Sequence, residues 1–303
     1  MVNFIDVVQL QLMLFVLLGV GFFLRKKKLV SHEARKSIIN ILIDIFLPCL
    51  IIKSFNIDFS IDLLKETGEA LIFAFAAQIV YVFSSKYLYK MVKDKGRIAV
   101  LRAGTICSNA AYIGMPVSEG IYGSAGLIFA SIECLPLRIF TWTFGTALFV
   151  KTSGKQVIKT LLTHPCIISV FIGIVLMFLG FPLPKFVISS INSLGNCSTA
   201  VSMIVVGMIL AEISPKEIFN GPVFYFAALR LIVIPLVFLV ILKALSTNEV
   251  VTGVTVLLAG MPAGSNTAVL ASKYNGDEAF ASQNIFVSTL LSMATIPIIS
   301  LFL

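Results

Sequence analysis

The sequence predicts an all-α integral membrane protein of about ten transmembrane helices. Three observations carry that prediction. Of the 303 residues, 58% are hydrophobic and only 13% charged, against about 45–50% apolar and about 25% charged in soluble domains. Apolar runs recur at close to the length of about 20 residues that a helix needs to cross a hydrocarbon core of about 30 Å. Lys and Arg are collected into alternate connections between these runs, as the positive-inside rule expects of a polytopic chain.

Taken in order, the runs and the polar residues between them predict helices near 4–24, 37–55, 67–89, 99–118, 121–150, 164–180, 185–211, 222–244, 250–272 and 280–302. The first, Phe4 to Leu24, has Asp6 as its one charge. Its basic residues follow the apolar run, so it reads as a membrane helix and not as a cleaved signal peptide. Six Lys/Arg lie from Arg25 to Lys36, six from Lys86 to Arg102 and three from Lys151 to Lys159. The odd-numbered loops hold 17 Lys/Arg, and the even loops with their flanks hold Lys53, Lys65, Lys185 and Lys243. Odd loops are therefore expected in the cytoplasm, with both termini outside a cell membrane.

The net charge of +8 is absorbed by this topology, and no aromatic-interleaved basic platform suggests nucleic acid. Cys49, Cys107, Cys134, Cys166 and Cys197 fall in apolar segments without metal-ligand spacing. His32 and His164 adjoin basic loops, so a metal centre is not expected, and both read as loop residues.

Features recur about 150 residues apart. Gly114-Met115-Pro116 returns as Gly260-Met261-Pro262; Tyr122 with Ala130-Ser131 returns as Tyr274 with Ala281-Ser282; Asn40 returns as Asn192. Together they predict two five-helix repeats, 1–150 and 164–303, joined by a short cytoplasmic linker at 151–163. Five being odd, the repeats would be inverted. Proline removes a backbone donor and clashes with the preceding turn, so helices four and nine are expected to break at Pro116 and Pro262. Ser108, Asn109 and Tyr112 precede the first of these, and Ser265, Asn266 and Thr267 follow the second. Paired breaks of this kind point to a midplane site. Asn109, Tyr112, Gly114, Pro116, Pro262, Ser265 and Asn266 are the candidates for binding substrate; helix-to-helix hydrogen bonding is the competing explanation for the amides.

Asn40, Asp44 and Pro48 are spaced by four and share a helical face, and the repeat maps Asp44 onto Asn196. An ionisable residue in such a helix is a functional candidate. Asp44, Asn40, Asn196 and Arg230 are accordingly candidates for ion coupling or for supporting the site, with Asp44 either holding H⁺ or Na⁺ or neutralising Arg230 or Arg138. Glu133 and Arg138 flank Pro136 at a spacing of five, off a common face. Arg138 is expected to pair elsewhere or snorkel to the interface, and Arg230 to meet an anion or the headgroups.

The stretch Ser108 to Pro116, Leu47-Pro48, and Met261-Pro262 through Tyr274-Asn275 to Pro297 resemble the auxin efflux carriers, a PIN-like family of the bile acid/arsenite/riboflavin transporter-like superfamily, along nearly the whole chain. That resemblance implies ten helices in two inverted repeats, helices four and nine crossing at their prolines over the substrate, and elevator motion of a transport domain against a scaffold. The long central loop of the plant members has no counterpart between Lys151 and His164. The expected function is secondary active or facilitative transport of a small organic anion, a carboxylate, since free N–H groups at half-helix N-termini suit one. A Na⁺-coupled bile-acid-type symporter and a non-transporting membrane sensor are the alternatives. No H-E-x-x-H or other catalytic arrangement suggests an enzyme. No cofactor is expected beyond coupling to H⁺, Na⁺ or membrane potential, and the expected partners are the anion, the bilayer and a second copy in a homodimer.

Overall fold

The computed structural model describes residues 4–56, 61–150, 154–179, 183–212, 221–245, 247–274 and 276–303. Residues 151–153 of the expected linker and Asn275 lie outside them. Among the described residues the regular structure is helical, with one isolated β-bridge. We number the helices α1 (Phe4–Lys26), α2 (His32–Ser54), α3 (Ile61–Leu88), α4 (Lys95–Ile106), α5 (Ala110–Gly145), α6 (Gly154–Leu162), α7 (Pro165–Leu179), α8 (Lys185–Leu210), α9 (Gly221–Ala244), α10 (Glu249–Ala259), α11 (Asn266–Lys273) and α12 (Glu278–Ser300).

Seven of these, α1, α2, α3, α5, α8, α9 and α12, are long and apolar enough to cross a membrane. Each expected segment falls on helical chain, but those near 99–118 and 250–272 are interrupted and that near 164–180 is short. The expected boundary between segments four and five, at 118–121, is also displaced. Helix continues from Ala110 to Gly145 and is kinked at Gly123, whose φ of +63° lies in the left-handed region that glycine enters without a Cβ penalty.

Local chemistry sets the ends. Beyond α1, Lys28 takes a φ of +58°, and Ser31 then caps α2 by accepting from the Ala34 amide at 3.1 Å. Glu212, just past α8, accepts from Arg25 Nε at 2.7 Å and pairs with Arg35, tying α1, α2 and α8 together at this end. At the far end of α2, Lys53 Nζ donates to Glu119 at 3.1 Å and to Asn196 at 2.8 Å, reaching α5 and α8.

Pro48, Pro116 and Pro235 are absorbed and do not break their helices, whereas Pro262 lies in the expected interruption, between Ala259 and Asn266. The π turns Leu42–Phe46, Ala110–Gly114 and Leu229–Val233 each end two residues before a proline, namely Pro48, Pro116 and Pro235. A wider turn relieves the clash between the ring and the carbonyl four residues back. For Pro116 that carbonyl belongs to Tyr112, and Ser202 Oγ donates to it at 3.1 Å. The expectation that Pro116 breaks helix four is therefore corrected: helix runs through Pro116 from Ala110 to Gly145, and Ser202 serves the carbonyl that the proline cannot.

α1 and α8 pack backbone to backbone. A Cβ on Gly207 would fall on the Leu18 carbonyl, and one on Gly21 on the Ile204 carbonyl, so neither helix tolerates a side chain there. Gly19, by contrast, faces open space. Gly207→Ala should destabilise the protein by about 1–3 kcal/mol, as overpacking does, whereas Gly19→Ala should leave it unchanged or slightly firmer. Thermal unfolding of the two variants in one detergent checks the contrast.

Candidate functional site

Two helix interruptions meet in the interior. α4 ends at Ile106, where Cys107 leaves helical geometry at φ −100°, ψ 81°, and α5 begins three residues after Cys107 at Ala110. α10 ends at Ala259 and α11 begins at Asn266 with Ser265 at its N-cap. The intervening strands of chain pair antiparallel across Ser108 and Ala263. Asn109 N donates to Pro262 O at 2.8 Å, and Gly264 N donates to Cys107 O at 2.7 Å. Ala263 N donates to Ser288 Oγ of α12 at 3.2 Å, and Arg230 Nε of α9 donates to Met261 O at 3.0 Å. Between them these bonds satisfy backbone groups that hydrocarbon would leave bare. A Cβ on Gly264 would lie 2.8 Å from the Cys107 and Ser108 carbonyls, so only glycine allows this approach.

A cavity of about 100 Å³ opens beside the paired interruptions. Four of the expected residues line it: Asn109, Tyr112, Ser265 and Asn266. Asn109 is buried and its Nδ2 has no hydrogen-bond partner. Three expected residues do not line it. Gly114 packs against Leu258 and Met261, Pro116 lies within the helical run of α5, and Pro262 gives its carbonyl to the bridge. Their contribution is to hold the interruptions together.

The expected ion-coupling group is dispersed. Asn40 and Asp44 are on the exposed side of α2, so the premise of a buried carboxylate does not hold. Asn40 and Asp44 keep the common face that their spacing predicts, but that face is the exposed one. Asn196 is exposed and accepts from Lys53. Arg230 is buried at 1% exposure, which excludes the headgroup position. Its guanidinium lies 4.8 Å from the centre of the Tyr81 ring, and it lines a second, smaller cavity of about 30 Å³ with Gln78, Ser108 and Glu133. Glu133 accepts from Thr255 Oγ1 at 2.6 Å and makes no ion pair among the described residues.

The larger cavity also takes residues that the sequence reading passed over. Arg138 and Trp142 of α5 line it, with His164 and Cys166 from the start of α7. Arg138 is only 8% exposed, so it neither snorkels nor pairs with Glu133. His164 is half-buried instead of lying in an open basic loop. Its imidazole, outside the membrane-spanning helices, is pushed down to about 4 by burial and then by the Arg138 charge, and is neutral at physiological pH. The signal for Arg138 was present in the sequence, as an arginine inside an apolar run; nothing comparable marked His164.

The chain matches the family described as "Membrane transport protein" over residues 6–159 and 148–300. It is 26% identical over 299 residues to the uncharacterized transporter MJ1031 of Methanocaldococcus jannaschii, covering 94% of this chain and 95% of the relative. To the uncharacterized transporter YfdV of Escherichia coli it is 22% identical over 297 residues, 93% of each chain. A putative malonate transporter of Rhizobium meliloti is 28% identical over 134 residues, 44% of this chain and 42% of that one.

The bonds at the interruptions separate support from substrate contact. Ser288→Ala strands the buried Ala263 N–H and should cost about 1–3 kcal/mol of stability. Asn109→Ala removes a donor that has no partner and leaves the backbone bridge intact, so its unfolding temperature should stay near that of the parent. Parallel unfolding curves test both.

Proposed function

The chain belongs to the membrane transport protein family, that of the auxin efflux carriers, and from that premise we propose that it carries a small carboxylate across a cell membrane through the cavity beside the paired interruptions. One observation carries the reading. The buried Asn109, with its free Nδ2, lines the cavity together with Ser265 and Asn266 at the start of α11. Side-chain donors and a helix N-terminus converging on one interior space suit an anion that must shed water. The relative named as a putative malonate transporter supports the class of compact carboxylates.

The proposal extends to the motion and the topology. The interruptions are bonded to each other and to α9 and α12, so they would travel as one body, consistent with an elevator in which a transport domain slides on a scaffold. The concentration of Lys/Arg in alternate loops supports two inverted repeats with both termini outside. Coupling to H⁺, Na⁺ or membrane potential completes a secondary active carrier, and its absence would leave a facilitative one.

Purified protein in liposomes preloaded with malonate should exchange external radiolabelled malonate. Asn109→Ala and Asn266→Ala should each reduce that exchange at least about tenfold, as the loss of one substrate hydrogen bond to a buried site does. Exchange that survives both changes at parental affinity moves the site elsewhere. Malonate binding without any counterflow would instead identify a sensor, and uptake that requires a Na⁺ gradient would identify a symporter.

Topology has its own check. A cysteine introduced between Arg25 and Lys36 should react with an impermeant maleimide only from the cytoplasm, and one at residue 303 only from outside. Labelling of both from one side would remove the inverted-repeat arrangement.

A further inference from the structure

The cavity has a charged end. Among its lining residues Arg138 is the one with a permanent charge, and it is more than nine-tenths buried. Its Nη1 has no hydrogen-bond partner, and it makes no ion pair among the described residues. The groups it acts on are the thiols of Cys134 and Cys166, the latter through a side-chain hydrogen bond, and the Tyr112 hydroxyl. Asp44, whose charge reaches Cys166 from the exposed side of α2, is not bonded to it.

Arg138 is not alone. His164 Nδ1 is buried without a partner, and so is Asn109 Nδ2. Three residues that each keep an unpartnered buried nitrogen, from α5, from the first interruption and from the chain before α7, thus line one cavity. A buried cation with no counter-charge is among the costliest arrangements a fold can keep. Arg230, whose Nη1 is likewise unpartnered, gives its Nε to the Met261 carbonyl and lies over the Tyr81 ring beside the smaller cavity. Arg138 has the Cys166 thiol as a side-chain partner and lines the larger cavity with its Nη1 unpartnered.

Size narrows what could close it. The cavity, at about 100 Å³, has room for several waters. A carboxylate of about two to four carbons suits that space.

We propose that Arg138 is a substrate-binding residue that reads charge, receiving the carboxylate of a compact anion in the fork of its guanidinium while Asn109 and His164 hold the remaining oxygen atoms. This rests on the carrier reading and sharpens it. The planar fork matches two carboxylate oxygens, which a lysine ammonium cannot do.

The chain contains a single tryptophan, and that residue, Trp142, lines the same cavity. Its emission is therefore a local reporter. Malonate and acetate titrated into the purified full-length protein should shift Trp142 emission saturably, and uncharged malonamide should not. Arg138→Gln should weaken malonate binding by about 30-fold or more, with Arg138→Lys in between, as truncation of a buried charge pair does. Equal affinity of the parent for malonate and malonamide would overturn the assignment without any variant, even if Arg138→Gln does not fold. Parental affinity in Arg138→Gln would overturn it too, while malonate counterflow by that variant would leave the carrier reading standing. Tighter binding of indole-3-acetate than of malonate would overturn the compact substrate. Failure of malonate, acetate, indole-3-acetate and inorganic phosphate alike to move Trp142 in the parent would remove the cavity as a binding site, and the carrier reading of it along with this proposal.

Discussion

A peptide group in hydrocarbon must find its partner inside the protein, and that constraint governs the centre of this molecule. Two helices are interrupted there, which exposes amides and carbonyls that no water can reach. Each interruption is the answer to the other. Cys107 and Pro262 give carbonyls across the gap to Gly264 and Asn109, Ser288 takes the Ala263 amide, and Arg230 closes the Met261 carbonyl. The cavity beside them follows from this arrangement, because a chain that is neither helix nor bulk loop presents side chains such as Asn109 and Ser265 toward a space that packed helices would fill.

Proline plays a different part from the one its sequence positions suggest. Pro48, Pro116 and Pro235 each follow a π turn, and the turn, being wider, takes up the strain without ending the helix. These turns carry polar residues with consequences. Tyr112, Arg230 and Asp44 each sit within one, and Trp142 lies in a further π turn, Thr141–Gly145. A π turn shifts the faces of all residues after it, so spacing rules based on 3.6 residues fail locally. Asn40 and Asp44 nevertheless stay on one face of α2, and that face is exposed.

The membrane class was legible in the sequence because it rests on bulk properties: apolar runs and the placement of Lys and Arg. So were Asn109, Tyr112, Ser265 and Asn266, since short polar residues beside helix-breaking signals have few other uses in hydrocarbon. The first interruption itself was not. It falls at Cys107 to Asn109, where no proline or glycine marks it, and it is imposed by the facing chain at Pro262 to Gly264. The repeated Gly-Met-Pro drew attention to Pro116 and so misplaced the break by several residues. Long-range partners likewise decided Arg138 and His164, whose shared cavity joins positions 26 residues apart that no helical spacing connects.

The two buried arginines stand at different cavities. Arg230 ties α9 to the second interruption through the Met261 carbonyl and lies over Tyr81. Arg138 lines the larger cavity as its one formal charge, with His164 neutral beside it. On the assignment of Arg138 to the substrate, the occupied cavity is electrically neutral when the anion carries one charge, and the empty cavity is positive. Moving a desolvated charge through a low-dielectric barrier is far costlier than moving a neutral pair. An elevator built around this cavity would therefore cross readily when loaded and reluctantly when empty. Exchange of one carboxylate for another would then need no separate gate, because the unpaired guanidinium itself holds the empty carrier in place.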